Sequence, residues 1–216
     1  MFAINHAASA LLFKKHLKNN ELPFIWILIG VQFIELMWAT LNLLGIEKTT
    51  TENVVHYVGD IHLAYMPYSH SVISSLIIAF TAGVFTFFKK KEMRLAVLIT
   101  LVFLTHILLD IVTHNHDIPY TLSNKTHLGL SLYQNFPLMA FMLEITFGLF
   151  CWWYYGGNLK LFVTIVLFNI ANLSLFFPGI HGPESLLAHQ PKLITLVILF
   201  QILITMYLVW KFSKIK

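Results

Sequence analysis

The chain has 216 residues, of which 57% are hydrophobic, 15% aromatic and only 11% charged. A soluble domain of this size carries about a quarter charged residues, so the composition excludes an ordinary soluble enzyme and predicts one integral membrane domain over 1–216. The formal charge of +4 does not point to nucleic acid, because the basic residues gather at the ends of apolar segments, and the single Cys151 excludes both an internal disulfide and a cysteine-based zinc site.

Residues 1–18, MFAINHAASALLFKKHLK, form a short apolar stretch with a basic end. Lys14, Lys15 and Lys18 follow the apolar run, which is the reverse of a secretory signal. The stretch is too short to span and reads as a half-inserted or interfacial helix. Six longer apolar stretches follow, near 22–46, 69–88, 93–113, 136–155, 159–177 and 192–211. Each is long enough to cross a bilayer. Pro23 suits a first helical turn and Gly45 an end, while Pro178-Gly179 and Pro191 bound the last two stretches. The expected fold is therefore all-α, a polytopic membrane helical bundle of about six transmembrane helices (22–211) with a half-inserted helix before it.

Lys14, Lys15, Lys18, Lys89, Lys90, Lys91, Arg94, Lys160, Lys211, Lys214 and Lys216 fall on one side of such a bundle, and only Lys48, Lys125 and Lys192 on the other. The positive-inside rule then puts both termini in the cytoplasm. The opposite face receives the long loops 47–68, 114–135 and 178–191, with His56, His62, His114, His116, His127, His181 and His189.

The spans hold three acidic residues, Glu35, Asp110 and Glu144. In the stretch LTHILLDIVTHNHDIP (104–119), His106, Asp110 and His114 stand at i, i+4 and i+8, which keeps three ligand-type side chains on one slowly drifting helical stripe. At 1.5 Å per residue, Asp110, His106, Glu144 and Glu35 all lie roughly 6 to 15 Å below the outer helix ends, with His70 at the rim. Polar groups of several helices thus converge on one layer, where they are expected to face one another around a polar cavity. Histidine with carboxylate suits a divalent metal of the zinc, manganese or iron type. Such an ion lowers the pKa of its water, and a carboxylate left free of it can act as general base. Glu144 is expected either to assist in this way or to act as charge partner of a histidine. His114 and His116 sit at a helix end, where a solvated or capping role competes with a functional one. Asn169, Asn172 and Gln201 are expected to be interhelical hydrogen-bonding residues. His56, His62, His181 and His189 read as loop residues, and the run Cys151–Tyr155 as an interfacial aromatic belt.

Four separated pieces resemble one known group: Asn5-His6-Ala7, Met66-Pro67-Tyr68-Ser69-His70-Ser71, Thr105-His106-Ile107-Leu108-Leu109-Asp110 and His114-Asn115-His116-Asp117-Ile118-Pro119. Together, over residues 1–155, they resemble the membrane-bound metal-dependent hydrolases, a family that includes the LexA-binding, inner-membrane-associated hydrolases. The resemblance implies His6, His70, His106 and Asp110 as metal-site residues and a bacterial inner-membrane location. Glu35 stands where many members have an aspartate, within a fuller Pro-Asp-x-Asp-His motif of which this chain keeps a single carboxylate. Gly129-Leu130-Ser131-Leu132 is similar to a Gly-Leu-Gly-Leu-Trp segment of some members, without its tryptophan. If His6 joins the site, the first helix must dip into the bundle.

The expected function is a membrane-embedded hydrolase with a divalent metal, zinc first and manganese or iron next. Glu35, Glu144 and His114 are its candidate catalytic groups. The expected partners are the lipid bilayer and an amphiphilic or lipid-derived ester or phosphoester, with no nucleic acid. Two other classes fit the same residues: a metal-ion or proton transporter, and a non-catalytic scaffold with a structural metal.

Overall fold

The computed structural model describes residues 1–17, 22–123, 125–177, 179–180 and 182–214; Lys18, Pro178, His181 and Lys216, named above, lie outside the described residues. The fold is a helical bundle of α1 (Ala3–Lys14), α2 (Phe24–Leu43), α3 (Val72–Lys90), α4 (Met93–Thr113), the short α5 (Leu132–Asn135), α6 (Pro137–Tyr155), α7 (Leu159–Ala171) and α8 (Pro191–Phe212). Among the described residues, five helices are long and apolar enough to cross a membrane: α2, α3, α4, α6 and α8. They are built inside out relative to a soluble bundle. Phe80, Phe85, Phe88, Leu108 and Phe200 are exposed, whereas Asn5, His6, His70, His106, Asp110 and Glu144 are buried. A lipid solvent produces this arrangement, because it accepts apolar side chains and drives polar ones towards each other.

The basic ends meet at one end of the bundle. Lys14 Nζ donates to the Ser213 carbonyl at 2.6 Å, Lys15 Nζ to the Tyr154 carbonyl at 2.7 Å, and Arg94 to the His16 carbonyl at 2.9 Å. From there α1 runs upward into the bundle, so that residue 1 lies in the interior beside Asp110 and not at the basic end. The interfacial reading of this segment is therefore corrected: Ala3 to Leu11 are all buried, packed against α2, α6 and α8. Small side chains make this possible. Ala3, Ala7, Ala8 and Ala10 let neighbouring backbones approach, and Gly148 of α6 faces Asn5 so closely that an added Cβ would lie 2.5 Å from Asn5 Oδ1.

The fifth apolar stretch differs from expectation as well. Only 13 of its residues are helical, and the chain then enters a 3₁₀ turn at Leu173–Leu175. That helix is roughly 20 Å long, short of a bilayer core. Asn169, Asn172 and Ser174 end it at the polar layer, where Asn172 Oδ1 accepts from Gln201 and Ser174 donates to Glu184. The outer loops hold two small antiparallel pairings that hydrophobic periodicity did not reveal: β1 (Lys48–Thr51) with β2 (Ile61–Tyr65), and β3 (Ile118–Pro119) with β4 (His127–Leu128).

Candidate metal centre

Three helices and one turn deliver a compact cluster. One turn of α4 separates His106 from Asp110, so both point into the bundle from the same face. His106 Nε2 lies 3.0 Å from Asp110 Oδ2, and His6 Nε2, from α1, lies 3.1 Å from Oδ1. The His6 and His106 rings stack at 3.9 Å. His70 arrives from the turn before α3, where Ser71 caps the helix by accepting from the Ser74 amide at 3.1 Å. Its Nε2 is 3.5 Å from Glu35 Oε2 of α2 and 3.8 Å from Asp110 Oδ2. His114, at the end of α4, places Nε2 3.7 Å from Asp110 Oδ1, and the Met1 nitrogen is 2.6 Å from the same oxygen. Two overlapping groups thus have the proximity to hold a metal ion: His6, His106 and Asp110, and Glu35, His70 and His106.

The polarity of the surrounding hydrogen bonds decides which ring nitrogens are free. His106 Nδ1 lies 2.9 Å from the Val31 carbonyl, which can only accept, so Nδ1 carries the proton. In the neutral ring Nε2 is then a bare lone pair, and it faces a carboxylate oxygen. Neither His106 Nε2 nor Asp110 Oδ2 has a hydrogen-bond partner, although both are fully buried and 3.0 Å apart. Two electron-rich atoms held this way repel each other unless a positive charge lies between or beside them; the Met1 ammonium on Asp110 Oδ1, a proton on His106 Nε2 or a metal ion each supplies one.

The second intramembrane carboxylate behaves differently. Glu144 Oε1 accepts from the Tyr133 hydroxyl at 2.5 Å and the Phe2 amide at 3.1 Å, and Oε2 accepts from Asn5 Nδ2 at 2.5 Å. It is held by neutral donors at the start of α1, where the helix dipole also favours an anion. Its oxygens are engaged in docking α1, so it neither joins the cluster nor pairs with a histidine. Burial and the Glu144 carboxylate push the Tyr133 phenol well above its usual range, which keeps it a donor. The amide residues follow the bland expectation, with Asn169 Oδ1 accepting from Asn5 at 3.0 Å.

A cavity of about 150 Å³ opens beside the cluster. Glu35, His114, Tyr133 and Asp117 form its polar end, and Ile194, Val197 and Ile198 of α8 with Leu175 line its apolar side. It lies where α7 stops short, and Asn172 forms part of the wall. Three side-chain atoms of lining residues are buried without a hydrogen-bond partner among the described residues: Trp38 Nε1, Asn115 Oδ1 and Asp117 Oδ1, the last 3.7 Å from His114 Nδ1. Gly129, with φ +137°, makes room for this end, because a Cβ there would lie 2.0 Å from the Asn115 carbonyl oxygen.

Comparison with protein-family models, curated proteins and solved structures finds no match. The cluster therefore has to be judged on its own geometry. Sequence reasoning brought His6, Glu35, His70, His106, Asp110 and His114 to one place, as the structure does. It missed Glu47, Ser69, Tyr133 and the cavity-facing Asn115. Ser69 carries a signal in the sequence, since a hydroxyl immediately before a candidate ligand can orient it, whereas Glu47 reaches it only through a tertiary contact. His62 is paired with Glu52 at 2.9 Å on the surface, and His116 Nδ1 lies 3.1 Å from the Gly129 carbonyl, both away from the cluster.

Proposed function

We propose that the cluster holds a divalent transition metal and that the protein is a membrane-embedded metal-dependent hydrolase of amphiphilic esters or phosphoesters. The observation that carries this reading is the buried, unpartnered pair of His106 Nε2 and Asp110 Oδ2. The ion would take either His6, His106 and Asp110 or Glu35, His70 and His106, two overlapping imidazole–carboxylate sets suited to zinc and also to manganese or iron. Ligand atoms around such an ion stand roughly 3.3 Å apart when bonds are about 2.0–2.1 Å, close to the 3.0–3.8 Å separations about Asp110. A bound ion of this kind supplies hydroxide near neutral pH. Glu35 is the one carboxylate of the cluster that also lines the cavity, so it is positioned as general base or as a further ligand, with His114 on the same wall.

The substrate class follows from the cavity. The apolar lining residues of α8 suit a hydrocarbon chain, and Glu35 and His114 on the same lining suit a polar head. The resemblance of the four motifs to the metal-dependent hydrolases supports the same reaction type. The basic end of the bundle supports a cytoplasmic position for that end, with the cavity on the opposite side of an inner membrane.

Elemental analysis of detergent-purified protein tests the reading directly. Stoichiometric zinc, manganese or iron in the parent, absent from a His106→Ala/Asp110→Asn variant, is the expected result and justifies screening ester and phosphoester substrates. Absence of metal from both, after reloading, would leave the cluster as a hydrogen-bonded core or proton site and remove the premise of hydrolysis.

A further inference from the structure

Glu47 is a buried carboxylate outside the cluster, and its position raises the question of what it holds. Gly45, with φ +75°, turns the chain back after α2, and the amides of Ile46 and Glu47 both bond to the Leu41 carbonyl. This reversal aims the Glu47 side chain under the turn that precedes α3. Its Oε1 accepts from the Tyr68 and Ser69 amides, each at 2.9 Å, and its Oε2 accepts from the Ser69 hydroxyl at 2.6 Å. Ser69 Oγ in turn lies 2.9 Å from His70 Nδ1. Glu47, Ser69 and His70 are all at most 1% exposed, so water does not compete for these bonds.

With Glu47 ionised and the His70 ring neutral, the proton count along this chain has one solution. A serine hydroxyl has a single hydrogen, and here Glu47 takes it. Ser69 Oγ can therefore only accept from His70, which places the ring proton on Nδ1. The lone pair of His70 is left on Nε2, the atom that faces Glu35 and Asp110 at 3.5 and 3.8 Å. His106 reaches the same state through the Val31 carbonyl. In their neutral forms, two rings from different parts of the chain thus both leave Nε2 bare and turned towards the same carboxylates.

We propose that Glu47 and Ser69 are positioning residues that set the tautomer of His70 and so make its Nε2 a metal ligand. The ligand half of this statement rests on the metal-centre reading above; the tautomer half does not. Partners of this kind commonly contribute about 10–100-fold to metal affinity. The alternative role for Glu47 is that of a staple, tying the start of β1 to the turn before α3 with no influence on the ring.

The variant Glu47→Gln separates the two roles. The glutamine carbonyl can keep both amide donors of Tyr68 and Ser69, which turns its NH₂ towards Ser69 Oγ. Every bond of the staple survives, but the serine hydrogen is released to His70 Nδ1, and the ring proton moves to Nε2. The measurement is twofold: zinc affinity by competition with a chelator, and ¹⁵N spectra of histidine-labelled, metal-free protein with the His70 signals assigned by their loss in His70→Ala. The expected result is an unchanged melting temperature, zinc affinity lowered by about 10–100-fold, and a His70 pattern switched to the Nε2-protonated form. Ser69→Ala lowers affinity likewise, while Ser69→Thr, which keeps the hydroxyl, retains the parental tautomer; this pair decides the matter if Glu47→Gln does not fold. An unchanged His70 tautomer in Glu47→Gln or in Ser69→Ala overturns the proposal and leaves Glu47 a staple. A switched tautomer in a protein whose parent takes up no metal sustains the positioning role and overturns the metal centre instead.

Discussion

Asp110 and Glu144 are both buried carboxylates at the start of α1, away from the basic end of the bundle, yet their surroundings are opposite in kind. Glu144 is surrounded by neutral donors, from Phe2, Asn5 and Tyr133. Asp110 is surrounded by the Met1 ammonium, 2.6 Å from Oδ1, and by imidazole nitrogens from His6, His70, His106 and His114, and its Oδ2 has no hydrogen-bond donor among the described residues. A carboxylate satisfied by neutral donors is complete and acts as a structural anchor. One set among imidazoles and the Met1 ammonium is charge-paired, and it belongs to a group with the proximity to hold a metal ion. Burial alone does not distinguish a functional acid from an architectural one; the polarity of its neighbours does.

The largest effect that sharpens this contrast is expected from Asp110→Asn. It preserves shape while replacing the central charge, and metal affinity should fall beyond the roughly 100-fold typical of an outer partner. Retained stoichiometric metal by elemental analysis would break the distinction. Glu144→Leu should act on stability instead. It leaves the Phe2 amide, Asn5 and Tyr133 without their acceptor, at about 1–3 kcal/mol each when unsatisfied and not strictly additive. The melting temperature in detergent should drop sharply while the folded fraction retains metal. Loss of metal at unchanged stability would reverse the roles of the two acids.

Gly148→Ala is a smaller test of the same anchor. Its Cβ would meet Asn5 Oδ1 at 2.5 Å and Ile165 at 2.8 Å, so α1 must shift, with about 1–3 kcal/mol of destabilisation by overpacking. Equal thermal stability of parent and variant would show that α1 is not held as closely as the contact implies. The smallest effect belongs to Tyr133→Phe, which removes one donor to Glu144 and should cost about 1 kcal/mol. Because the phenol is pushed up in the folded protein, its contribution is fully present below the unfolded value of about 10 and declines as pH rises above it. The stability gap between parent and Tyr133→Phe should therefore be flat across neutral pH and narrow only in alkali; a gap that narrows between pH 6 and 8 would point to titration of another group.

Much of the bundle was legible in the order of residues. The apolar runs located the long helices because a lipid environment requires every span to be apolar and long enough, which is a property of contiguous sequence. The lysine-rich ends followed from the same logic. The i, i+4 spacing of His106 and Asp110 placed both on one face of α4 because a helix repeats every 3.6 residues. The one apolar run that misled was 159–177, where Asn169 and Asn172 already signalled a polar layer but the helix end was set by partners on other elements.

What only the tertiary structure decided depends on residues far apart in the chain. The entry of α1 rests on Asn5 meeting Glu144, 139 positions away, and on Gly148 leaving space for it. The same contact turned Glu144 from a candidate base into an anchor. The tautomer of His70 depends on Glu47, whose bond to Ser69 is made only because Gly45 reverses the chain. Local periodicity tells which face a side chain occupies, and hydropathy tells which solvent that face prefers. Neither tells whether the atom opposite is a donor or a lone pair, and that difference separates Glu144, held by neutral donors, from Asp110, set among imidazoles.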